Sequence, residues 1–247
     1  LLEAGGLGEP SVCDDEFWGV AKKCLADFIR QVRMLPDADR ILGLHLERGE
    51  WFFADGWGYD TSRAAQNAFQ EWTRTRYGND PVALRASWFD GQAQFDTITV
   101  PEFSGEIRAG EEFVRTGRKA RRWVDYHLFL SDATYDRISD LAHEVKVASD
   151  GYFLVGVSYG YTFEWGHPAN GHMALGKLLR NPEVDFIAGP PSYKNREPGG
   201  SCAFPTAIDS FALNSKLFLS EEDFKTPISG REEPDDFNPV MKTPQAL

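Results

Sequence analysis

The sequence predicts an α/β protein built around a parallel β-sheet. Short apolar segments with strand character alternate with longer segments whose apolar residues recur at helical spacing. Four such strands can be placed, and each is followed by a polar or aromatic loop. Strands that alternate with helices pair in parallel through crossover connections, so the alternation itself indicates the fold class.

The first half of the chain contains one predicted strand and three predicted helices. Apolar residues at helical spacing predict a helix over residues 15–34, and the segment ILGLHL favours a strand over residues 40–46. Thr61 and Ser62 are suitable caps for a helix over residues 63–77, and Gly78 follows where a helix C-terminus favours glycine. A shorter helix is expected over residues 81–88.

The second half supplies the other three strands. Residues 110–149 predict one long helix or two in tandem, with a stripe of apolar side chains. The continuous apolar run at 152–158 is typical of a strand covered on both faces. A short helix is expected over residues 172–179, and further strands over 184–188 and 217–220, the last one buried. Residues 227–247 read as a polar, proline-rich tail of a single domain that spans 1–247.

Four strands of this kind fit one portion of a TIM-type (β/α) barrel, in which the chemistry gathers on loops at the carboxyl ends of the strands. A closed barrel needs eight strands, so this chain would supply half of one. An open sheet edge and an uncovered inner face are unfavourable in water. We therefore expect self-association into a homo-oligomer that completes the barrel, with association with missing sequence as the alternative.

Composition excludes several classes of function. A formal net charge of -12 and a pI near 4.9 disfavour nucleic acid or an anionic membrane as partners. The sequence has no apolar run long enough to span a membrane and no recognisable secretory signal at its start, which is the expectation for a soluble protein of unassigned compartment. The three cysteines match neither a zinc pattern nor a disulfide framework, and no metal or cofactor is expected.

Two of the predicted strands run into carboxylates. The first is followed by Glu47 and Glu50, and the last by Glu221, Glu222 and Asp223. In a parallel barrel these strand ends lie at the same rim, so acids distant in sequence can face each other. Glycoside hydrolysis uses such a pair, one carboxyl group as acid and the other as nucleophile or base. Aromatic residues near the same strand ends are candidates for stacking on sugar rings.

Several segments resemble the family 42-like glycoside hydrolases. They include ILGLHL at 41–46 with GEW at 49–51, FQEWTRTRYG at 69–78, VGVSYGY at 155–161, PSY at 191–193 and REPGG at 196–200. The resemblance implies a retaining glycosidase acting on β-galactosides or β-glucosides, with Glu221 as nucleophile and Glu50 as acid/base. Gly49 stands where that family has an asparagine, so the choice between Glu50 and Glu47 stays open.

The same resemblance and the strand-end positions indicate a set of carbohydrate contacts. The candidates are His45, Trp51, Tyr159, Tyr161, Trp165, Tyr193 and Arg196. Tyr159 and Tyr161 fit a packing role equally well, and Arg196 fits an ion pair. The alternative function is a non-catalytic carbohydrate-binding or assembly protein on a truncated hydrolase barrel. A sugar-phosphate isomerase or lyase is less well supported, because the glycine-rich segment at 198–201 opens no convincing helix.

Overall fold

The computed structural model describes residues 10–46, 51, 59–101, 120–163, 168–192 and 203–221, and every structural statement below concerns these residues. They contain one sheet of four strands in the order β1-β2-β3-β4, and each neighbouring pair is parallel. The strands are β1 (Gly43–Leu46), β2 (Leu154–Ser158), β3 (Phe186–Gly189) and β4 (Leu217–Ser220). The predicted parallel α/β arrangement is confirmed, and four strands in this order are compatible with part of a TIM-like barrel.

Six α-helices accompany the sheet in the described part of the chain. They are α1 (Asp15–Arg33), α2 (Arg63–Arg76), α3 (Pro81–Trp88), α4 (Arg121–Ala148), α5 (Leu175–Arg180) and α6 (Ile208–Leu213). Short 3-10 turns lie at Ala38–Arg40 and Pro168–Asn170. The first three α-helices begin at side-chain caps, since Asp14, Ser62 and Asp80 each accept a hydrogen bond from a backbone N–H of the first turn.

The helix boundaries differ from the sequence predictions at two places. The helix expected from residue 172 begins at Leu175, because His172 makes loop contacts that are described below. Helix α6 was not predicted, since its six residues are too few to show a helical period. Of the segment 110–149, the described part forms a single helix from Arg121.

The main core lies between the sheet and the helices on one of its faces. Val155, Val157 and Ile187 alternate along β2 and β3 and are fully buried on that face. They pack in one cluster with apolar side chains from several helices, among them Ile29, Ile138, Val145, Leu178 and Phe211. On β2, residues 155–158 are all buried, in agreement with the apolar run of the sequence, whereas Leu154 at the start of the strand is 38% exposed.

A second core lies among α2, α3 and the first half of α4. Phe69, Leu84 and Tyr126 are fully buried there. The same region contains Asp125, whose side chain is 0% exposed. Its carboxylate accepts hydrogen bonds from Tyr77 Oη (2.5 Å) and Trp88 Nε1 (2.8 Å). Two guanidinium groups lie beside the other carboxylate oxygen, those of Arg76 at 3.2 Å and Arg121 at 3.0 Å. This buried charge is therefore compensated on both oxygens.

The amino-terminal end of the sheet is held by lysine side chains. Lys146 Nζ lies 2.6 Å from Asp185 Oδ2, and the same oxygen accepts the backbone N–H of Val155. Lys216 Nζ donates to the carbonyl oxygens of Asn181 and Val184, and burial lowers the pKa of its ammonium group. Contacts at this end of parallel strands tie the strands to their connections and leave the opposite end for chemistry.

The opposite face of the sheet is partly exposed. Leu154, Leu217 and Leu219 are 38%, 62% and 51% exposed. The expectation that β4 is a buried strand is therefore wrong, because only alternate side chains of this strand face the core. Within the described residues, no helix is both long and apolar enough to cross a membrane.

Candidate active site

Three polar side chains from three strands meet on the partly exposed face, at the carboxyl ends of the strands. Ser158 Oγ lies 2.9 Å from Glu221 Oε1 and 3.1 Å from His45 Nε2. His45 Nε2 lies 3.9 Å from the same Glu221 oxygen. Ser158 is fully buried, whereas the side chains of His45 and Glu221 are 26% and 31% exposed. The Glu221 carboxylate thus contacts the buried Ser158 hydroxyl and is still accessible to solvent.

Backbone register explains why these side chains share a face. Glu221 extends β4 by one residue, because its N–H donates to the carbonyl oxygen of Gly189. Glu221 then points to the same side as Leu217 and Leu219. His45 is paired with Gly156, two residues before Ser158, so both belong to that face as well.

The contact between His45 and Glu221 requires a curved sheet. Strands β1 and β4 are at opposite edges, with two strands between them. At a strand spacing of about 4.8 Å, their backbones would be roughly 14 Å apart in a flat sheet. A side-chain separation of 3.9 Å across that span means that the face is concave. Concave curvature of a parallel sheet is the property that closes a barrel.

The floor beside the carboxylate is formed by an aromatic ring over a glycine. The rings of His45 and Phe186 are stacked, with centroids 6.1 Å apart and an interplanar angle of 24°. Phe186 reaches this position because Gly156 has no side chain: a Cβ there would lie 1.9 Å from the Phe186 ring. Three neighbouring strands therefore contribute one layer below the polar group.

The loop that leaves β2 is fixed by a buried histidine. His172 Nδ1 accepts the backbone N–H groups of Gly160 (3.0 Å) and Tyr161 (3.2 Å). Its ring stacks on Tyr159, whose hydroxyl donates to the carbonyl oxygen of Gly171. Burial raises the pKa of Tyr159. Gly160 has φ 89°, and a Cβ there would meet Leu175, so the turn requires glycine.

Five of the residues expected at the site lie outside the described part of the chain. These are Glu47, Glu50, Trp165, Tyr193 and Arg196, and the acids Glu222 and Asp223 lie outside it as well. Their proposed roles stay predictions. Of the other expected residues, the structure brings together Glu221 and His45.

The three remaining aromatic candidates are buried. Trp51 is 1% exposed, stacks on Trp18 and donates from Nε1 to the carbonyl oxygen of Leu46. Tyr159 and Tyr161 are 0% and 1% exposed and both contact His172. These rings have almost no free surface on which a sugar could stack. The packing role that the sequence left open fits Tyr159 and Tyr161, and Trp51 belongs to the core between α1 and the sheet.

Sequence reasoning missed Ser158 and placed His172 only at the start of a predicted helix. A serine that ends an apolar run shows no pattern of its own. The available signal was the position of Ser158 at the carboxyl end of β2, because residues at the carboxyl ends of parallel strands form the functional sites of such folds. His172 could not be placed, because its partners Gly160 and Tyr161 belong to a loop whose path the sequence does not specify.

A parallel sheet of four strands with a concave face and a carboxylate at its strand ends is compatible with part of a TIM-like barrel. Comparison with solved structures agrees at the level of the fold. The chain is similar to a β-galactosidase from the psychrophilic Marinomonas ef1, with a TM-score of 0.52 and 16% identity over 74% of this chain and 25% of that one. It is also similar to Gan42B, a GH42 β-galactosidase from G. stearothermophilus, in a catalytic mutant with a TM-score of 0.50 and 14% identity, over 82% of this chain and 26% of that one.

The likeness is distant and partial. The chain spans about a quarter of the length of those proteins. No protein-family model matches the sequence, and no curated protein matches it. The comparisons therefore show a glycoside-hydrolase-like fold.

Proposed function

We propose that this chain is a retaining β-glycosidase that hydrolyses β-galactosides or β-glucosides, with Glu221 as its nucleophile. The observation that carries the proposal is the Glu221 carboxylate at the carboxyl end of β4, on the concave face, in contact with Ser158 and His45. Partial exposure leaves this carboxylate accessible to a substrate from the open side.

The proposed chemistry is a double displacement. Glu221 attacks the anomeric carbon while an acid protonates the departing glycosidic oxygen, which gives a covalent glycosyl-enzyme ester. The group that acted as acid is now a carboxylate and removes a proton from water. The water oxygen attacks the same anomeric carbon, and the ester bond to Glu221 breaks. A nucleophile in this mechanism has to be ionised, and an ionised Glu221 can accept the hydrogen bond that the Ser158 hydroxyl donates.

Glu50 is the proposed acid/base, with Glu47 as the alternative. Both follow β1 in the sequence, and β1 is the strand whose His45 side chain already reaches Glu221 across the curved sheet. A retaining pair needs its carboxyl groups about 5–5.5 Å apart. The same curvature that brings His45 to 3.9 Å from Glu221 supports an approach of this kind from the end of β1.

The test measures hydrolysis of nitrophenyl β-galactoside and β-glucoside by the wild type, Glu221→Gln and a matched control, Glu71→Gln. Glu71 is an acid on α2 whose side chain is 72% exposed. We expect Glu221→Gln to abolish hydrolysis and Glu71→Gln to leave it unchanged. A 2-fluoro glycoside should add one sugar mass to the peptide that contains Glu221. Unchanged activity of Glu221→Gln removes this nucleophile, and sugar binding without any hydrolysis supports the carbohydrate-binding alternative.

We further propose that two copies of the chain complete the barrel. In the described part, β1 and β4 each pair with only one neighbouring strand, so two sheets of four strands supply the eight that a closed barrel needs. Pairing of this kind would cover Leu154, Leu217 and Leu219 on the concave face.

Light scattering after size-exclusion chromatography tests this assembly. We expect a dimer at micromolar concentration for the wild type and a monomer for Leu217→Lys. The control is Leu213→Lys, because Leu213 is 86% exposed on α6 and its substitution leaves the concave face unchanged. A monomeric wild type contradicts completion by a second copy and favours closure by strands from a longer chain.

A further inference from the structure

We propose that Ser158 and His45 are positioning residues for the Glu221 carboxylate. His45 donates a hydrogen bond to Ser158, and Ser158 donates one to Glu221. The inference extends the proposed function, and its catalytic meaning depends on Glu221 being the nucleophile. Its structural basis is independent of that assignment: Ser158 Oγ contacts both partners, at 3.1 Å from His45 Nε2 and 2.9 Å from Glu221 Oε1.

The chemistry of the three groups determines where the protons lie. An ionised carboxylate accepts hydrogen bonds and cannot donate them, so the single hydroxyl proton of Ser158 is directed to Glu221. The Ser158 oxygen is then an acceptor toward His45. His45 must therefore carry a proton on Nε2, either as the neutral Nε2–H tautomer or as the imidazolium.

Burial makes Ser158 a support for the carboxylate rather than a reacting group. Its side chain has no exposed surface, so water does not compete for the hydroxyl and a substrate cannot reach it. The direction of the hydrogen bonds also differs from that of a nucleophilic serine, because here the histidine donates to the serine oxygen and does not take its proton. Hydrogen bonds that form a chain polarise and strengthen one another in a low-dielectric environment. The hydrogen bond from His45 to Ser158 therefore strengthens the one from Ser158 to Glu221.

The orientation of His45 is set by a residue of β3, whereas the carboxylate that it helps to position is at the end of β4. Its ring stacks on Phe186, which lies over Gly156. This stacking restricts the imidazole to a plane from which Nε2 reaches Ser158. Strands β1, β2 and β3 thus each contribute one element that fixes a carboxylate on β4.

The His45 substitutions separate the hydrogen bond from the stacking. His45→Gln keeps an N–H donor near the position of Nε2, whereas His45→Phe keeps an aromatic ring beside Phe186 and loses the donor. Ser158→Ala removes the central hydroxyl. We expect kcat to fall roughly 10- to 100-fold in Ser158→Ala and by a smaller factor in His45→Phe, with KM changed less than twofold. His45→Gln should retain most of the wild-type kcat.

A spectroscopic readout makes the test independent of catalysis. The carboxyl carbons of glutamate are labelled with carbon-13, and the Glu221 resonance is assigned by its absence in Glu221→Gln. We expect the resonance to move toward those of exposed glutamates in Ser158→Ala and His45→Phe, and to stay near its wild-type position in His45→Gln. Far-UV circular dichroism establishes that each variant is folded.

The outcomes distinguish the two proposals. A Glu221 resonance and a kcat that are both unchanged in Ser158→Ala overturn the positioning role. Equal effects of His45→Gln and His45→Phe show that ring stacking matters and the donor does not, which also contradicts it. If the wild type hydrolyses none of the glycosides but the resonance moves as expected, Ser158 and His45 still position Glu221 and the proposed glycosidase function fails.

Discussion

The aromatic ring of Phe186 occupies the space that a side chain at Gly156 would need. A Cβ at residue 156 would lie 1.9 Å from Phe186 Cε2, far inside van der Waals contact. The same ring stacks on His45, which contacts Ser158 at the carboxylate. One missing side chain on β2 therefore determines how an aromatic residue on β3 and a histidine on β1 are arranged.

Gly156→Ala should destabilise the protein. The added methyl group must displace the Phe186 ring, and overpacking of this kind costs about 1–3 kcal/mol of the free energy of unfolding. Urea denaturation measures the change. In a Phe186→Ala background the same substitution should cost less, because the clashing ring is absent.

Gly19→Ala is the matched control for this prediction. Gly19 lies within α1, and a Cβ there meets no atom within 4 Å. Alanine is the better helix former, so this substitution should leave stability unchanged or raise it by up to about 1 kcal/mol. Equal effects of Gly156→Ala and Gly19→Ala would be incompatible with the contact between Gly156 and Phe186.

The arrangement of strands and long helices follows from local sequence signals. The apolar run at β2, the periodic stripe of α4 and the capping residues Asp14 and Ser62 each act over a few positions, so they can be recognised without tertiary information. The presence of Glu221 at a strand end was predictable for the same reason. These features determine the fold class and one side of the site.

Other features depend on contacts between distant segments. Trp51 follows a strand end together with other aromatic residues, which suggested a sugar contact. In the structure its ring packs on Trp18 and its Nε1 donates to the carbonyl oxygen of Leu46, so it belongs to the core. Ser158 lies between His45 and Glu221 only because the curvature of the sheet brings side chains of β1 and β4 close together. Neither outcome is encoded in spacing along the chain, since each depends on how the sheet bends and which helix covers it.

Asp125→Asn should be among the most destabilising single substitutions in the helical region. The buried carboxylate faces Arg76 and Arg121 and accepts hydrogen bonds from Tyr77 and Trp88. Neutralising it removes the anion beside two partly exposed guanidinium groups and weakens the hydrogen bonds to the buried side chain, a loss of about 1.5–3 kcal/mol. Chemical denaturation gives the free energy of unfolding.

A surface ion pair provides the comparison for Asp125. Asp96 pairs with Arg74 at 2.6 Å, but its side chain is 84% exposed. Asp96→Asn should therefore change the free energy of unfolding by less than about 1 kcal/mol. If both asparagine variants have the same small effect, the buried network does not stabilise the fold.

Cys13 should react slowly with thiol reagents. Burial, together with the nearby charge of Asp60, raises the pKa of its thiol to about 12. At pH 8 such a thiol is ionised in roughly one molecule in ten thousand, and the thiolate is the reactive form. We expect iodoacetamide to label exposed Cys24 at least about 100-fold faster than Cys13, as measured by peptide mass at timed intervals.

Two controls test whether the slow labelling of Cys13 is due to its environment in the folded protein. In denaturant, Cys13 and Cys24 should be labelled at similar rates, because both thiols are then solvated. In Cys24→Ser, the slow labelling of Cys13 should persist unchanged. Equally rapid labelling of both cysteines in the folded protein would contradict a raised thiol pKa at Cys13.

His143 should make stability depend on pH in one direction. Its Nδ1 lies 2.7 Å from Glu183 Oε1, and this hydrogen bond and the carboxylate charge raise the histidine pKa above its ordinary value of 6.5. A raised pKa in the folded state means that the stabilisation is fully present below pH 6.5 and is lost as the pH rises through the folded-state value. His143→Gln should therefore lower Tm at pH 5.5 and leave it unchanged at pH 8.5.

The difference in Tm should be small, because His143 and Glu183 pair on the surface. Glu183→Gln should reproduce the difference at the lower pH. A Tm difference that is the same at both pH values would mean that protonation of His143 does not contribute to it.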